Sequence, residues 1–196
     1  MSAREIDTQG KLLIAPPTLP DWRFKKSVVY MWKHDIAGAS GVIINKKCNN
    51  PSFEHICHEG GLTKRDPRVN PPIWYGGPVL TNILGVLHTL DFTIKSTNLI
   101  KKDLGFTLDR KMLEVIAQGG GPKQYIITLG LANWEPGQLE NELDGIHPKS
   151  PAFSWLTLDY EPSLIFGPKT NDFWDSCVSK SIENKTKEIT NKIFKN

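Results

Sequence analysis

The chain has 196 residues, of which 39% are hydrophobic and 23% charged, and its formal net charge is +3. One domain is the default for this length, and so small a positive charge argues against a dedicated nucleic-acid binder, which usually carries a basic stripe. Three cysteines at irregular spacing exclude a secreted disulfide framework. No signal peptide is visible, and no run approaches the roughly 18 apolar residues of a membrane span. These features predict a cytoplasmic protein without membrane contact.

Strand-sized apolar runs dominate the first half of the chain. They are closed by prolines or separated by glycine-containing loops, which is typical of buried strands and hairpins. The runs predicted as strands are Lys11–Ala15, Ser27–Lys33, Gly41–Asn45, Ile73–Tyr75 and Leu84–His88. The second and third are expected to form a hairpin, and the last two a further strand pair. Residues 1–9 are polar and predict a flexible N-terminal tail, whereas residues 52–59 predict a short helix.

Helices with recognisable ends alternate with strands in the second half. Asp109 is a suitable N-cap for a helix that continues to Gln118. Glu135-Pro136 is expected to start another helix, because proline fits the first helical position. The predicted strands of this half are Gly105–Leu108, Tyr125–Ala132, Trp155–Leu158 and Ser163–Phe166. A long helix is predicted from Asp172 onward, with residues 179–196 as a Lys- and Asn-rich C-terminal helical extension. Strands outnumber helices without a regular strand–helix–strand alternation, which predicts an α+β fold.

The sequence contains no familiar catalytic or cofactor-binding motif. The glycine triplet 119–121 follows a predicted helix, whereas phosphate-binding loops follow a strand. His55, Cys57 and His58 match no zinc-binding spacing and are expected to be surface or half-buried side chains. Cys177 lies on the apolar side of the last predicted helix, which indicates a core thiol rather than a nucleophile. We therefore predict no catalytic residues, no metal and no cofactor.

Polar and aromatic residues concentrate where the clearest strand ends and the next helix begins. The segment from Gly130 to Glu140 places Trp134, Gln138 and Glu140 around one turn. Backbone N–H groups at the start of a helix can bind an anion or a carbonyl group. The alternative, which the sequence leaves open, is that Trp134 fills the core while Gln138 and Glu140 only cap the helix.

Several short motifs occur in one consistent order along the chain. They are Gly10–Ala15, Phe24, Ser27–Tyr30, His34, Gly38–Lys46, Gly76–Val79, His88-Thr89 and Gly137–Glu140. This order resembles the YqgE/AlgH family of bacterial proteins and places a family-like domain at residues 10–178. The resemblance implies a single compact domain whose bifurcated, mostly antiparallel sheet folds into a pseudo-barrel with flanking helices. It supplies no accepted catalytic residue and no cofactor, and one branch of the family is described as a transcriptional regulator.

The favoured functional hypothesis is a regulatory or adaptor protein that binds an unidentified protein partner. It rests on the regulatory label of the family and on a split charge distribution, with six acids against one lysine between Glu135 and Glu161. The candidate binding surface comprises His34, Asn45, Lys46, Gly76, Gly77, Pro78, His88, Trp134, Gly137, Gln138 and Glu140. One alternative is a small-ligand-binding protein or an enzyme of undefined reaction that uses a polar cleft at the strand ends. A third hypothesis, direct binding of nucleic acid as DNA, rests only on the lysines of the C-terminal extension.

Overall fold

The structure is a computed structural model that describes residues 7–101, 103–146 and 154–194. Within these ranges the chain forms nine strands in one strongly curled sheet, a half-barrel, together with five helices. The strands are β1 (Lys11–Ile14), β2 (Val28–Asp35), β3 (Gly38–Ile43), β4 (Ile73–Tyr75), β5 (Val79–Thr89), β6 (Asn98–Ile100), β7 (Leu104–Thr107), β8 (Tyr125–Trp134) and β9 (Leu156–Asp159). The helices are α1 (Phe53–Glu59), α2 (Arg110–Ala117), α3 (Gln138–Leu143), α4 (Pro162–Phe166) and α5 (Phe173–Phe194). The predicted α+β class is confirmed.

The sheet is bifurcated at β8, as the family resemblance implied. Its strand order is β6-β7-β5-β8-β3-β2-β1-β9. The first half of β8 pairs in parallel with β4, from Ile127 to Leu129. The last three residues of β8, up to Trp134, pair antiparallel with β3 instead. One edge of β8 therefore serves two different strands, and the sheet divides into two branches there.

Two glycines allow the chain to pass closely over β8 between β4 and β5. A Cβ atom added to Gly76 would collide with the carbonyl oxygen of Gly130, and one added to Gly77 would collide with that of Leu131. Gly77 also has a φ of 152°, a conformation that L side chains rarely adopt. These positions therefore need glycine for backbone packing.

Two strand predictions are wrong, and both errors have a physical reason. β4 and β5 do not pair with each other, because they lie on opposite edges of β8. Ser163–Phe166 belongs to helix α4, whose first residue is Pro162. A short apolar run does not distinguish a strand from a helical turn by its periodicity. The proline before it was the stronger signal, since proline fits the first turn of a helix.

The start of one helix and the length of one hairpin loop also differ from expectation. Helix α3 begins at Gln138, so Glu135 and Pro136 form a turn before it. Gly137 occupies the N-cap with a left-handed φ of 76°, which glycine adopts without steric cost. The hairpin between β2 and β3 is tighter than predicted, with only Ile36 and Ala37 between the strands.

The ordered domain starts before residue 10 and includes part of the predicted N-terminal tail. Thr8 is only 1% exposed, and Gln9 donates a hydrogen bond to the carbonyl oxygen of Trp32. Residues 1–6 lie outside the described residues. At the other end, α5 buries Phe173, Trp174, Cys177 and Ser181, whereas nearly all its side chains from Ile182 to Phe194 are exposed. Among the described residues, no helix combines the length and the hydropathy that crossing a bilayer requires.

Candidate ligand pocket

A pocket of about 360 Å³ opens where the end of β8, helix α3 and the turn at residues 19–24 meet. We call it the aromatic pocket. Its apolar lining consists of Leu19, Pro20, Phe24, Pro78, Val79, Trp134 and Trp155. Its polar lining consists of Asp21, Arg23, Asn133, Gln138 and Glu142. At the end of β8, the exposed Asn133 and the buried Trp134 both border the pocket.

The inner end of the aromatic pocket is organised by the carboxylate of Glu142. The indole N–H groups of Trp134 and Trp155 both donate to its Oε2 atom, at 3.0 Å and 2.7 Å. Gln138 Nε2 donates to Oε1 at 2.9 Å, and the backbone N–H of Glu135 fixes the orientation of the Gln138 amide by donating to its Oε1. We call these four side chains the Glu142 cluster. Glu142 accepts three hydrogen bonds and donates none, which is the pattern of an ionised carboxylate.

Three aromatic rings pack around the Glu142 cluster. The centroid of Phe24 lies 6.2 Å from that of Trp134 and 5.8 Å from that of Trp155, and the two tryptophans are 6.0 Å apart. Trp155 is nearly perpendicular to both other rings, at 86° and 78°. Such edge-to-face contacts add about 0.5–1.5 kcal/mol beyond the burial of apolar area. The ring arrangement therefore fixes the shape of the pocket.

A paired aspartate and arginine stand at the mouth of the aromatic pocket. Arg23 donates to the carboxylate of Asp21 from its backbone N–H, from Nε and from Nη2, the last at 2.7 Å. Hydrogen bonds from Arg23 hold the pKa of Asp21 below its ordinary value. Lys46 contacts the same turn, because its Nζ donates a hydrogen bond to the carbonyl oxygen of Arg23 at 2.7 Å. Burial lowers the pKa of Lys46, and its ammonium group is not part of the pocket lining.

His34 connects the N-terminal segment to helix α3. Its Nδ1 accepts a hydrogen bond from the backbone N–H of Thr8 at 3.1 Å and lies 2.9 Å from the Thr8 hydroxyl. Its Nε2 lies 3.2 Å from Glu140 Oε1. A hydroxyl, an imidazole and a carboxylate in this order are the elements of nucleophile activation. Thr8 is only 1% exposed, however, and its own N–H competes for Nδ1. The arrangement therefore holds the N-terminal segment onto the domain.

The remaining candidates from the sequence have structural contacts. Asn45 accepts a hydrogen bond from Val28 N–H and donates to the carbonyl oxygen of Lys26, which fixes the start of β2. Gly76 and Gly77 serve the close passage over β8, and Gly137 caps α3. Of the predicted surface, the side chains of Pro78, Trp134 and Gln138 line the aromatic pocket. His34 and Glu140 form the neighbouring contact with Thr8. Trp134 is 6% exposed, so it is both a core residue and a pocket residue.

His88 lies apart from these residues, inside the other branch of the sheet. It is fully buried on β5, so its predicted position on the shared surface is wrong. Its Nδ1–H donates to the carbonyl oxygen of Thr89 at 2.9 Å, and its Nε2 accepts from the Thr107 hydroxyl at 2.9 Å. Thr107 in turn lies 2.9 Å from the Thr97 hydroxyl. We call His88, Thr97 and Thr107 the His88 cluster. Burial lowers the pKa of His88, which is consistent with a neutral imidazole.

Sequence reasoning missed Glu142, Trp155 and the Asp21–Phe24 turn. A signal for Glu142 was present, because it follows Gln138 by four residues on the same helix, and residues so spaced are neighbours on a helix surface. Nothing local to Trp155 or to the turn indicated that the fold brings them beside β8. Within the described ranges, no group of three or more histidine, cysteine or acidic side chains is close enough together to hold a metal ion.

Comparison with known proteins identifies relatives that span nearly the whole chain. A family profile described as AlgH-like matches residues 12–184. A UPF0301 protein of Bartonella quintana is 40% identical over 178 residues, which cover 84% of this chain and 92% of that protein. A UPF0301 protein of Nitrobacter hamburgensis is 37% identical over 181 residues, which cover 87% of this chain and 80% of that protein.

Two solved structures share the fold. The solution structure of the AlgH protein from Pseudomonas aeruginosa matches with a TM-score of 0.74 and 28% identity, and 92% of each chain is covered. The crystal structure of protein DIP2367 from Corynebacterium diphtheriae matches with a TM-score of 0.64 and 17% identity, and it covers 89% of this chain and 87% of that one. At this lower identity, the second match is evidence of a shared fold alone.

Proposed function

The chain belongs to the AlgH-like family, and from that premise we propose that it is a regulatory or adaptor protein that binds a protein partner through the aromatic pocket. One observation carries the proposal, namely an open pocket of about 360 Å³ whose inner end is held rigid by the Glu142 cluster. Apolar walls with a few fixed polar groups are typical of sites that anchor one group of a ligand. Aromatic anchors in such pockets dominate the energetics of protein interfaces.

Binding is favoured over catalysis by the surroundings of the reactive groups. A nucleophile has to be reachable by its substrate, whereas Thr8 beside His34 is buried. The carboxylate of Glu142 already accepts three hydrogen bonds. Burial raises the pKa of Cys177 to about 11, which disfavours the thiolate form that acts as a nucleophile. We therefore assign no catalytic residue.

Site-directed photo-crosslinking tests the proposal. Asn133 is exposed at the pocket, so a photoreactive residue such as p-benzoylphenylalanine is placed there in the full chain. Asn82 provides a matched control, because it is an exposed asparagine on strand β5 that borders a separate pocket of about 220 Å³. We expect a partner to be captured through position 133 in cells that produce the protein, and not through position 82.

Capture alone does not establish the function, so the captured partner is then purified and its affinity measured. Arg23→Ala should change its affinity, because Arg23 lines the pocket and its loss leaves the Asp21 carboxylate without its partner. Arg68→Ala should leave the affinity unchanged, because Arg68 forms the same kind of pair with Asp66 on a loop outside the pocket. Equal capture at both positions, or equal effects of both arginine variants, would contradict the proposal.

A small-ligand site is the second candidate function, and the same pocket volume supports it. A ligand of the native state raises the melting temperature by mass action. A thermal-shift screen of amines, carboxylates and nucleotides with wild type and Asn133→Lys distinguishes the two candidates. A stabilising compound that loses its effect in Asn133→Lys, in the absence of any captured protein, would favour the small-ligand function.

A further inference from the structure

Among the described residues, the buried Glu142 carboxylate has only uncharged hydrogen-bond donors. The residue is 7% exposed, and its three donors are two indole groups and one amide. None of the ion pairs formed among the described residues includes Glu142. Burial of a carboxylate is costly, so buried charges in proteins are normally paired with an opposite charge. The carboxylate therefore favours a cation that comes from outside the described part of the chain.

The aromatic pocket gives such a cation a path to the carboxylate. Glu142 lines the pocket, and its two oxygens are not equally occupied. Oε2 accepts two hydrogen bonds, from Trp134 and Trp155, whereas Oε1 accepts one, from Gln138. Each carboxylate oxygen offers about two acceptor positions. The described residues therefore leave Oε1 with room for one further N–H group.

The remaining lining suits a positive group at the end of an aliphatic stem. The rings of Phe24, Trp134 and Trp155 belong to the pocket wall, and aromatic faces attract ammonium and guanidinium groups. Two acidic residues, Asp21 and Glu142, and one basic residue, Arg23, line the pocket, so its formal charge is −1. Arg23 is held by the Asp21 carboxylate, which offsets its repulsion of an incoming cation.

We propose that the aromatic pocket receives an ammonium or guanidinium group on an aliphatic stem, which in a protein partner is the side chain of a lysine or an arginine. That the cation belongs to a protein partner rests on the proposed function, whereas the preference for a cation rests on the buried Glu142 carboxylate. The volume of about 360 Å³ lies near the lower end of the range for small-molecule sites, roughly 300–1,000 Å³. A pocket of this size fits one side chain better than an extended cofactor.

Capped amino acids provide the probes for a binding test on the full chain. N-acetylarginine amide is compared with N-acetylcitrulline amide, which has nearly the same shape and no charge. N-acetyllysine amide is compared in the same way with N-acetylnorleucine amide. Binding is followed by NMR through the indole N–H signals of Trp134 and Trp155, which border the pocket. We expect each charged probe to bind about tenfold more tightly than its neutral counterpart, as a cation held by a carboxylate and aromatic rings implies.

Three variants test whether the charged probes bind in the pocket or to the protein surface in general. Asn133→Lys adds a positive charge at the pocket and should abolish binding of both charged probes. Asn82→Lys adds the same charge on β5 outside the pocket and should leave their binding unchanged. Glu142→Gln should remove the preference for the charged probes while it keeps an oxygen acceptor. The Asn133→Lys result does not depend on whether Glu142→Gln folds, because Asn133 is exposed and uses no side-chain hydrogen bond among the described residues.

The outcomes are decisive in both directions. Equal affinities for the arginine and citrulline probes, or a preference for N-acetylaspartate amide, would overturn the cationic assignment. Tighter binding of putrescine than of every capped amino acid would overturn the lysine or arginine side chain as the source. If a partner is captured at position 133 while no cationic probe binds, this inference fails and the proposed function stands. If the charged probes bind but no partner is captured, the proposed function fails and the cationic chemistry of the pocket stands.

Discussion

The two branches of the bifurcated sheet each bury one titratable side chain within a polar cluster. In the His88 cluster, a neutral imidazole donates to a carbonyl oxygen and accepts from a hydroxyl group. In the Glu142 cluster, a carboxylate accepts from three uncharged donors and lines an open pocket. The described residues give both clusters hydrogen-bond partners, but they give the Glu142 carboxylate no opposite charge. On this difference in charge, beside an open pocket, we propose that the Glu142 cluster belongs to a binding site whereas the His88 cluster is structural.

The largest expected effect is the loss of stability on removing the Glu142 carboxylate. Glu142→Leu leaves two buried indole N–H groups without an acceptor, so the free energy of unfolding should fall by about 3 kcal/mol. Glu142→Gln keeps one oxygen acceptor and should cost less. Asn141→Leu is the control on the same helix, since its side chain is exposed. Urea unfolding measures all three, and a Glu142→Leu protein as stable as Asn141→Leu would show that the cluster does not stabilise the fold.

The second effect concerns His88 and the pH dependence of stability. Because burial lowers the pKa of His88 in the folded state, the unfolded chain takes up a proton at a higher pH than the folded protein. The contribution of His88 is therefore complete above about pH 6.5 and declines as the pH falls below that value. His88→Leu should cost about 2 kcal/mol at pH 7.5 by leaving Thr107 without its acceptor, and it should flatten this decline.

His58 is the control for this pH prediction, because its side chain is 82% exposed. His58→Gln should leave the curve of unfolding free energy against pH nearly unchanged between pH 7.5 and 5. A His88→Leu protein with the same pH dependence as wild type would show that another group causes the decline.

The third effect compares one substitution at two tryptophans. Trp134→Phe removes an indole N–H that donates to Glu142 and should cost about 1 kcal/mol. Trp32→Phe removes a buried N–H that has no hydrogen-bond partner among the described residues, so it should cost less, although Trp32 also stacks on Phe106. Thermal and urea unfolding compare the two variants. A larger loss for Trp32→Phe would mean that ring packing outweighs the hydrogen bond to Glu142.

The smallest expected effect on stability belongs to Arg23 and Arg68, two of the exposed arginines. Arg23 and Arg68 each bind the aspartate two residues earlier, with Nη2 to Oδ2 distances of 2.7 Å and 2.8 Å. Exposed ion pairs contribute little, so each alanine variant should leave the free energy of unfolding nearly unchanged. Only Arg23→Ala should change ligand affinity, because only Arg23 lines the aromatic pocket. A loss of stability confined to Arg23→Ala would instead assign its turn a structural role.

Most strands and helices could be predicted from local patterns, and the errors follow from long-range pairing. The N-cap at Asp109 and the strand at Tyr125–Ala132 were found because capping and apolar runs are properties of neighbouring residues. The pairing partner of β4 was not predicted, since a three-residue strand does not specify which edge of the sheet it joins. Strand β6 was missed for a different reason, because Asn98–Ile100 exposes two of its three residues and so gives no apolar run.

The sequence by itself determined the family resemblance, the α+β class and the turn between Trp134 and Gln138, because each of these depends on residue types at short spacing. Only the tertiary structure decided that Trp155 and the Asp21–Phe24 turn lie beside that turn, and that His88 lies in the core of the other branch. The physical reason is the division of the sheet at β8. One branch brings Trp155 and the Asp21–Phe24 turn beside the end of β8, whereas His88 lies in the other branch, although its strand could be predicted as readily as the others.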